Sequence, residues 1–241
     1  MRAKVTYLPV FLLLALTFFS GCATPIDTTR LSGLRKVGVV SVTENKIHAY
    51  HQGLTVFQNR EWDAIVPELQ IDETAEKIVT DRLRAAGVEV KSPERAAFFQ
   101  KKRNGFLSSG SHWNPDDPAV LSKVRQVCER ENLDAVVVIF PFISDAGPFG
   151  PYRGVGFYTA KALMLKSAGV YAIVQTMVFD RTGEVIGKGF GGSTPLVTFV
   201  EVPWHNSWDE YSPVERDSVH ARLHEALNLS LANQVQQLGF K

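Results

Sequence analysis

The chain has 241 residues, of which 45% are hydrophobic and 21% are charged, so it can bury a substantial core in one large domain. Basic and acidic residues are nearly equal in number, 26 against 25, which gives no cationic face of the kind that nucleic-acid-binding domains carry. This balance excludes nucleic acid as the expected partner. It also provides no polybasic cluster for binding to anionic lipid through charge alone.

The first 22 residues show the order of features of a secretory signal. A short basic start at Arg2 and Lys4 precedes an apolar run, and the small residues Ser20 and Gly21 directly precede Cys22. The apolar run covers roughly a dozen residues, whereas a hydrocarbon core needs about 20, so a permanent transmembrane helix is disfavoured. The alternative is an uncleaved helix followed by a cysteine that is buried in the core.

The small residues before Cys22 resemble the lipobox of bacterial lipoproteins. The resemblance implies cleavage before Cys22, a diacylglycerol on its sulfur and an acyl chain on its new amine, so Cys128 has no intramolecular disulfide partner. In that family a residue other than aspartate after the cysteine favours the outer membrane, and Ala23 stands there. We therefore expect residues 1–21 to be a lipoprotein signal peptide, 22–33 a lipidated tether and 34–241 a periplasmic domain.

Strands and helices alternate through the first half of the chain. The β-branched run RKVGVVSV, residues 35–42, is typical of a buried strand, and the stretch that follows it predicts one or two more strands joined as hairpins. A helix comes next, with Asp72 predicted as its N-cap and Gly87 at its end, before a short strand. Residues 92–117 predict a helix fragment and then a surface loop.

A second helix is predicted from about Asp117 to Arg130, with Pro118 in its first turn. Its apolar residues fall on one face, so we interpret Cys128 as a packed core thiol. The alternative, a catalytic nucleophile, has no histidine near it in sequence to support it. The helix leads into AVVVIFPF, the strongest strand signal in the chain.

The second half ends in a hairpin and a long helix. Residues 162–180 and 184–193 predict two strands joined by the turn DRTG, in which Gly183 can adopt a positive φ. The last helix is predicted from 214 to about 238. Together these elements predict an α/β (α+β) fold, a single domain with a mixed sheet and helices packed on it.

Two irregular stretches rich in aromatic residues interrupt this pattern, at residues 144–161 and 194–213. Glycine and proline punctuate the first stretch, so it predicts a long loop. Aromatic side chains combine a large apolar area with a polar group, which suits partner surfaces and sugar faces. The candidate recognition residues are Phe149, Tyr152, Phe157 and Tyr158 in the first stretch and Trp204, Trp208 and Tyr211 in the second. The alternative is that these aromatic residues plug the ends of the sheet.

The candidate metal ligands are histidines. His220 and His224 are four residues apart on the predicted last helix, so both rings can face one metal ion, and His205 could supply a third ligand. This set defines the alternative function, a metal-dependent hydrolase. Against it, Ala221 stands where a zinc protease has glutamate, and the two rings also flank an apolar stripe that packs in the core.

The order of segments resembles the periplasmic α/β domain of several bacterial envelope lipoproteins and related proteins. These include the curli-secretion lipoprotein, the lipoprotein activators of peptidoglycan synthases and the amino-terminal domain of the Tol-system propeller protein. The similar segments are Val37–Val42, Leu83–Val90, Asn132–Ile139 and Val170–Lys188. The resemblance implies an outer-membrane-anchored periplasmic lipoprotein with a non-catalytic binding or assembly role and no cofactor. Its expected partners are the membrane, through acyl chains on Cys22, an envelope protein or peptidoglycan, and further copies of the chain.

Overall fold

The computed structural model describes residues 26–95, 117–144, 152–162, 165–190, 197–199 and 202–240. The helices in these ranges are α1 (Thr28–Ser32), α2 (Ile71–Ala85), α3 (Pro118–Glu131) and α4 (Pro213–Gln237). None of them is long and apolar enough to cross a membrane. The strands are β1 (Lys36–Ser41), β2 (Lys46–Gln52), β3 (Arg60–Ile65), β4 (Glu89–Lys91), β5 (Ala135–Pro141), β6 (Ile143–Ser144), β7 (Tyr152–Ala162), β8 (Leu165–Asp180), β9 (Val185–Phe190) and β10 (Val197–Phe199).

These strands form one mixed sheet in the order β3-β2-β7-β8-β5-β1-β4, with β9 and β10 also paired to β8 and β6 paired to β7. The long strand β8 belongs to two half-sheets. Its last part pairs with β5 and β9, and β5 continues to β1 and β4; we call this half-sheet A. Its first part pairs with β7 and β10, and β7 continues to β2 and β3; we call this half-sheet B. The predicted fold class, a mixed sheet with helices packed on it, is confirmed.

Helices α2 and α4 cover one face of the sheet, and the main core lies between these helices and the sheet. Val39 of β1 and Ile47 of β2 are fully buried there, together with Val79 of α2 and the α4 residues Leu223 and Leu227. Each Val or Leu side chain that leaves water in this way contributes about 1.5–3 kcal/mol. The core therefore spans both half-sheets and joins them into one folded unit.

The opposite face differs between the half-sheets. On half-sheet A, α3 packs Val124, Val127 and Cys128 against Val136 and Val138 of β5. On half-sheet B, the described buried cluster consists of tyrosines and one isoleucine, Tyr152, Tyr158, Tyr171 and Ile173. The ring centre of Tyr152 lies 5.7 Å from that of Tyr158 and 4.8 Å from that of Tyr171, and both contacts are edge-to-face. These tyrosines cover half-sheet B on this face, as α3 covers half-sheet A.

The predicted loop over residues 144–161 is wrong from Tyr152 onward, because β7 is a central strand between β2 and β8. The glycines that indicated turns have another purpose in this strand. Gly154 has φ +58°, and a Cβ on Gly156 would lie 1.9 Å from the backbone oxygen of His48. Gly156 is thus required for the close approach of β2 and β7, and Gly154 for a left-handed backbone conformation within the strand.

Asp72 is not the N-cap of α2 as predicted; the helix begins after Gln70, which is in the left-handed region. The Asp72 side chain is buried and accepts hydrogen bonds from the backbone N–H of Thr43, the hydroxyl of Thr43 and the backbone N–H of Asn45. It therefore fastens the turn between β1 and β2 to the start of α2.

Residues 26–33, predicted as part of the tether, are packed on the domain. The backbone N–H of Asp27 donates to the carbonyl of Ile186, and Leu31 is buried in the main core. Arg30 of α1 hydrogen-bonds both Asp180 and Glu184 at the β8–β9 turn. The folded part of the chain therefore begins by Ile26, and the expected tether is shorter by this segment.

The other predicted elements agree with the structure within a few residues. Asp117 caps α3, with its side chain accepting from the backbone N–H of Ala119. Ser212 and Glu215 form a capping box at the start of α4. Gly183 has φ +83° in the β8–β9 turn, as its place in DRTG predicted. Of the predicted helix fragment and loop at 92–117, residues 96–116 lie outside the described ranges.

Candidate functional site

The two histidines of α4 lie together, as their spacing predicted. Their ring centres are 4.2 Å apart and the rings are nearly perpendicular. However, Nε2 of His224 lies 2.9 Å from the backbone oxygen of Leu69 and 3.2 Å from the hydroxyl of Thr74. A ring nitrogen that donates to a carbonyl carries a proton and cannot bind a metal ion at the same time. His224 therefore links α4 to the turn before α2.

His205 is engaged elsewhere. Its Nε2 lies 3.4 Å from Oε1 of Glu215, and its ring packs against Tyr211 with the centres 4.4 Å apart. Over the described ranges, no three His, Cys, Asp or Glu side chains are placed to hold a metal ion. The part of the chain that the structure describes therefore contains no group of side chains that would support the metal-dependent hydrolase.

The aromatic residues of the second stretch close one end of the main core. Trp208 and Tyr211 are buried and stacked, with ring centres 5.4 Å apart, and Trp204 is half-buried against Trp62 and His51. The indole N–H of Trp208 donates to Glu68, 2.9 Å away. These side chains plug the end of the sheet, which is the alternative to a recognition surface that the sequence also allowed.

The described aromatic residues of the first stretch are buried as well. Phe157 packs in the main core, and Tyr152 and Tyr158 belong to the tyrosine cluster of half-sheet B. Phe149 lies outside the described residues. Because the described members are at most 1% exposed, they offer no open surface to a partner.

Cys128 is 2% exposed in the cluster under α3, and burial raises the pKa of its thiol to about 11. The thiolate is the reactive form, so this thiol is protonated and inert at neutral pH. The packing agrees with the interpretation of Cys128 as a core residue.

We expect Cys128 to resist alkylation in the folded protein. In the Cys22→Ser variant, which keeps Cys128 alone, iodoacetamide at pH 8.5 should label the native chain about 100-fold more slowly than the urea-unfolded chain. The raised pKa also makes the unfolded state the weaker proton binder, so stability should fall as pH rises from about 9 toward 11. Equal labelling rates in the folded and unfolded chains would contradict this.

Large exposed apolar side chains gather in the turn between β2 and β3. Leu54, Val56 and Phe57 are 56%, 76% and 88% exposed; we call this segment, residues 53–59, the hairpin tip. Sequence reasoning missed it, although three apolar residues in a link between two strands were a visible signal. Contiguous exposed apolar side chains in a soluble domain mark interaction sites.

The hairpin tip has an ordered backbone. The N–H of Gly53 donates to the Asn59 side chain and the N–H of Leu54 to the Gln58 side chain, each at 3.0 Å. The Arg60 guanidinium donates to the carbonyl of Phe57. These bonds hold the apolar side chains outward on a fixed turn, which lowers the entropy cost of binding.

A cleft opens where the two half-sheets separate. It has a cavity volume of about 50 Å³ and is lined by three segments far apart in sequence, at residues 43–48, 141–143 and 153–155, with Asp63. The charged side chains in it are Lys46 and Asp63, which pair at 2.8 Å, and Arg153. No local pattern joins these segments, so sequence reasoning had no means of finding the cleft.

His48 lies at the base of this cleft and is 3% exposed. Its Nδ1 is 2.7 Å from the hydroxyl of Tyr171, and that hydroxyl donates to the backbone oxygen of His48 at 3.2 Å. Nε2 of His48 has no hydrogen-bond partner among the described residues, and Oε2 of Glu61 lies 3.7 Å from it. Burial lowers the pKa of His48, so the ring is neutral at pH 7.

Comparisons with known proteins give no family. No family model matches the chain, and no curated protein matches it significantly. The similar solved structures include two of the PelC dodecamer from Paraburkholderia phytofirmans. A point variant is 12% identical, with a TM-score of 0.27, over 82% of this chain and 88% of that chain. A second crystal form is 10% identical, with a TM-score of 0.27, over 83% and 89%. TM-scores of this size support no conclusion on fold, assembly or function.

Proposed function

We propose that the protein is an outer-membrane-anchored periplasmic lipoprotein with a non-catalytic binding role, and that the hairpin tip contacts another envelope protein. The observation that carries the binding role is the exposure of Leu54, Val56 and Phe57 on an ordered turn. The anchor rests on Ser20, Gly21 and Cys22 at the end of the apolar run.

The packing of α1 makes this anchor short. The folded part begins by Ile26, and the four residue steps from Cys22 span at most about 14 Å when fully extended. Acyl chains contribute about 0.8 kcal/mol per buried CH₂, and two or more give stable anchoring. The end of the domain that carries α1 should therefore lie close to the membrane.

The hairpin tip lies in half-sheet B, whereas α1 contacts the far end of β8, in half-sheet A. Gln52 pairs with Ala160, which pairs with Ser167 near the start of β8, whereas Arg30 of α1 bonds Asp180 at the end of β8. From Ser167 to Asp180 the strand covers roughly 40 Å at about 3.3 Å per residue. The tip is thus remote from the proposed anchor and in a position to meet a partner in the periplasm.

Replacing Cys22 by serine should abolish membrane attachment. We expect the wild-type protein to incorporate radiolabelled palmitate and to sediment with outer-membrane vesicles, and the Cys22→Ser variant to do neither, because its hydroxyl cannot form the thioether. The matched control is Cys128→Ser, which should keep the label, since that thiol is buried. Palmitate on the Cys22→Ser variant, or none on the wild type, would overturn the anchor.

The partner contact is tested by a photo-crosslinking residue at Phe57 in living cells. We expect a covalent adduct with one other envelope protein, and no adduct from the same residue at Leu229, which is 43% exposed on α4. The Phe57→Ser variant should no longer co-purify with that envelope protein. An adduct with a second copy of the chain would mean that the hairpin tip mediates self-assembly, which contradicts a contact with another envelope protein. Adducts of equal yield at Phe57 and Leu229 would also contradict the proposal.

A further inference from the structure

The cleft lies just beyond the carboxyl ends of two neighbouring parallel strands. β1 ends at Ser41 and β5 at Pro141, and the residues that follow each of them line the cleft. β5 pairs with β8 as far as Val174, and β7 takes its place from Ile173. A crevice outside the carboxyl ends of strands, where the chain diverges, is the usual ligand position in open α/β sheets.

Among the described residues that line the cleft, the positive side chains outnumber the negative ones, Lys46 and Arg153 against Asp63. Lys46 and Asp63 neutralise each other, whereas Nε of Arg153 is buried and has no hydrogen-bond partner among the described residues. Nε2 of His48, in a side chain almost wholly buried, likewise finds no hydrogen-bond partner among them. Buried polar atoms of this kind are rare and costly, and both belong to residues that line the cleft, which favours a hydrogen-bonding group bound there.

Apart from Thr43 and Gly154, the remaining residues that line the cleft are apolar. Phe142 is 42% exposed, and Pro141, Ile143 and Val155 lie beside it in the cleft. A volume of about 50 Å³ holds three to five water-sized groups, at roughly 10–15 Å³ for each. The space therefore suits an anionic head group with a short apolar substituent.

From this arrangement we infer that the cleft binds a carboxylate with a small apolar substituent, held by the Arg153 guanidinium and the His48 imidazole and covered by Phe142. Such a group occurs on a free short-chain carboxylic acid and on the last residue of a peptide. This inference goes beyond the proposed function, because the cleft is a different site from the hairpin tip. Carboxylate binding does not require the lipid, so its failure would leave the anchor and the hairpin-tip contact standing.

The Tyr171 hydroxyl gives this binding a pH dependence. It donates to the backbone oxygen of His48, so Nδ1 of His48 donates to it and Nε2 carries a lone pair. Burial and Arg153 oppose protonation of His48, whereas Asp63 and Glu61 favour it, and a bound carboxylate facing that lone pair would favour it further. Binding therefore takes up a proton, and the affinity should rise by roughly threefold or more from pH 8 to pH 6.

The test is calorimetric titration of the lipidated protein in a neutral maltoside detergent, without carboxylate or phosphate buffers. The probes are butyrate, butyramide, a blocked dipeptide ending in valine and the same dipeptide as its amide. We expect both acids, or one of them, to bind and neither amide. Butyrate alone identifies a free acid as the ligand, and the dipeptide acid alone identifies a peptide end.

Three variants separate the contacts. Arg153→Gln should weaken the acid roughly 10- to 100-fold, since a charge-assisted hydrogen bond is lost. Arg222→Gln, which removes an exposed charge on α4, should change nothing. Phe142→Ala should weaken butyrate but not acetate, and circular dichroism should show all three folded. No binding of either acid at 10 mM, equal binding of acids and amides, or equal loss in Arg222→Gln would overturn the inference.

Discussion

Replacing Gly156 by alanine is expected to destabilise the protein by about 3 kcal/mol or more. The new Cβ would lie 1.9 Å from the backbone oxygen of His48 and 2.9 Å from the hydroxyl of Tyr171. Backbone atoms cannot rotate away as a flexible side chain can, so β2 and β7 would have to separate. The six residue pairs between β2 and β7 join β2 and β3 to the rest of half-sheet B, so separating β2 from β7 would break this connection.

Urea unfolding, followed by circular dichroism and tryptophan fluorescence, measures this loss. Gly33→Ala is the matched control, because Gly33 has φ −80° and the nearest atom to its Cβ would be 3.4 Å away. We expect this control to change stability by less than about 0.5 kcal/mol. A Gly156→Ala variant as stable as the control would show that β2 and β7 do not pack this closely.

Replacing Asp72 by alanine is expected to cost about 3 kcal/mol. The carboxylate is 1% exposed and accepts three hydrogen bonds, two of them from the backbone of Thr43 and Asn45. Its removal leaves those N–H groups inside the protein with no acceptor. Since the β1–β2 turn lines the cleft, the same variant should also weaken carboxylate binding.

The comparison for Asp72 is Asp81→Ala on the same helix. Asp81 is 54% exposed and pairs with Lys77 four residues earlier, so its removal should cost less than about 0.5 kcal/mol. Asp72→Asn keeps one acceptor oxygen and should fall between the two variants in urea unfolding. If Asp72→Ala and Asp81→Ala were equally stable, the hydrogen bonds that Asp72 accepts would not contribute to the free energy of unfolding.

Elements with complete local signals were predictable. Asp117 with Pro118 starts α3, DRTG joins β8 to β9, and Ser212 opens α4, each through side chains within a few residues of one another. The apolar faces of α3 and α4 also followed from helical spacing, because 3.6 residues per turn places their buried residues in one stripe.

The candidate site was predictable only in part. The spacing of His220 and His224 brought their rings together, but Leu69 and Thr74, about 150 residues away in sequence, take up Nε2 of His224. The hairpin tip could have been noticed as three apolar residues in a polar turn. The cleft could not, because His48 and Arg153 meet only through the pairing of β2 with β7.

The sequence by itself determined the alternation of strands and helices and the start of α3 at Asp117, and it alone carries the lipobox prediction at Cys22. Only the tertiary structure decided that Gly154 and Gly156 belong to a central strand, that Asp72 fastens a turn and that α1 is folded onto the β8–β9 turn. It also decided that the described candidate aromatic residues, apart from the half-buried Trp204, are buried. The reason is physical: capping and helical periodicity act over a few residues. Close strand approach and the burial of polar groups depend on neighbours up to about 150 residues away in the chain.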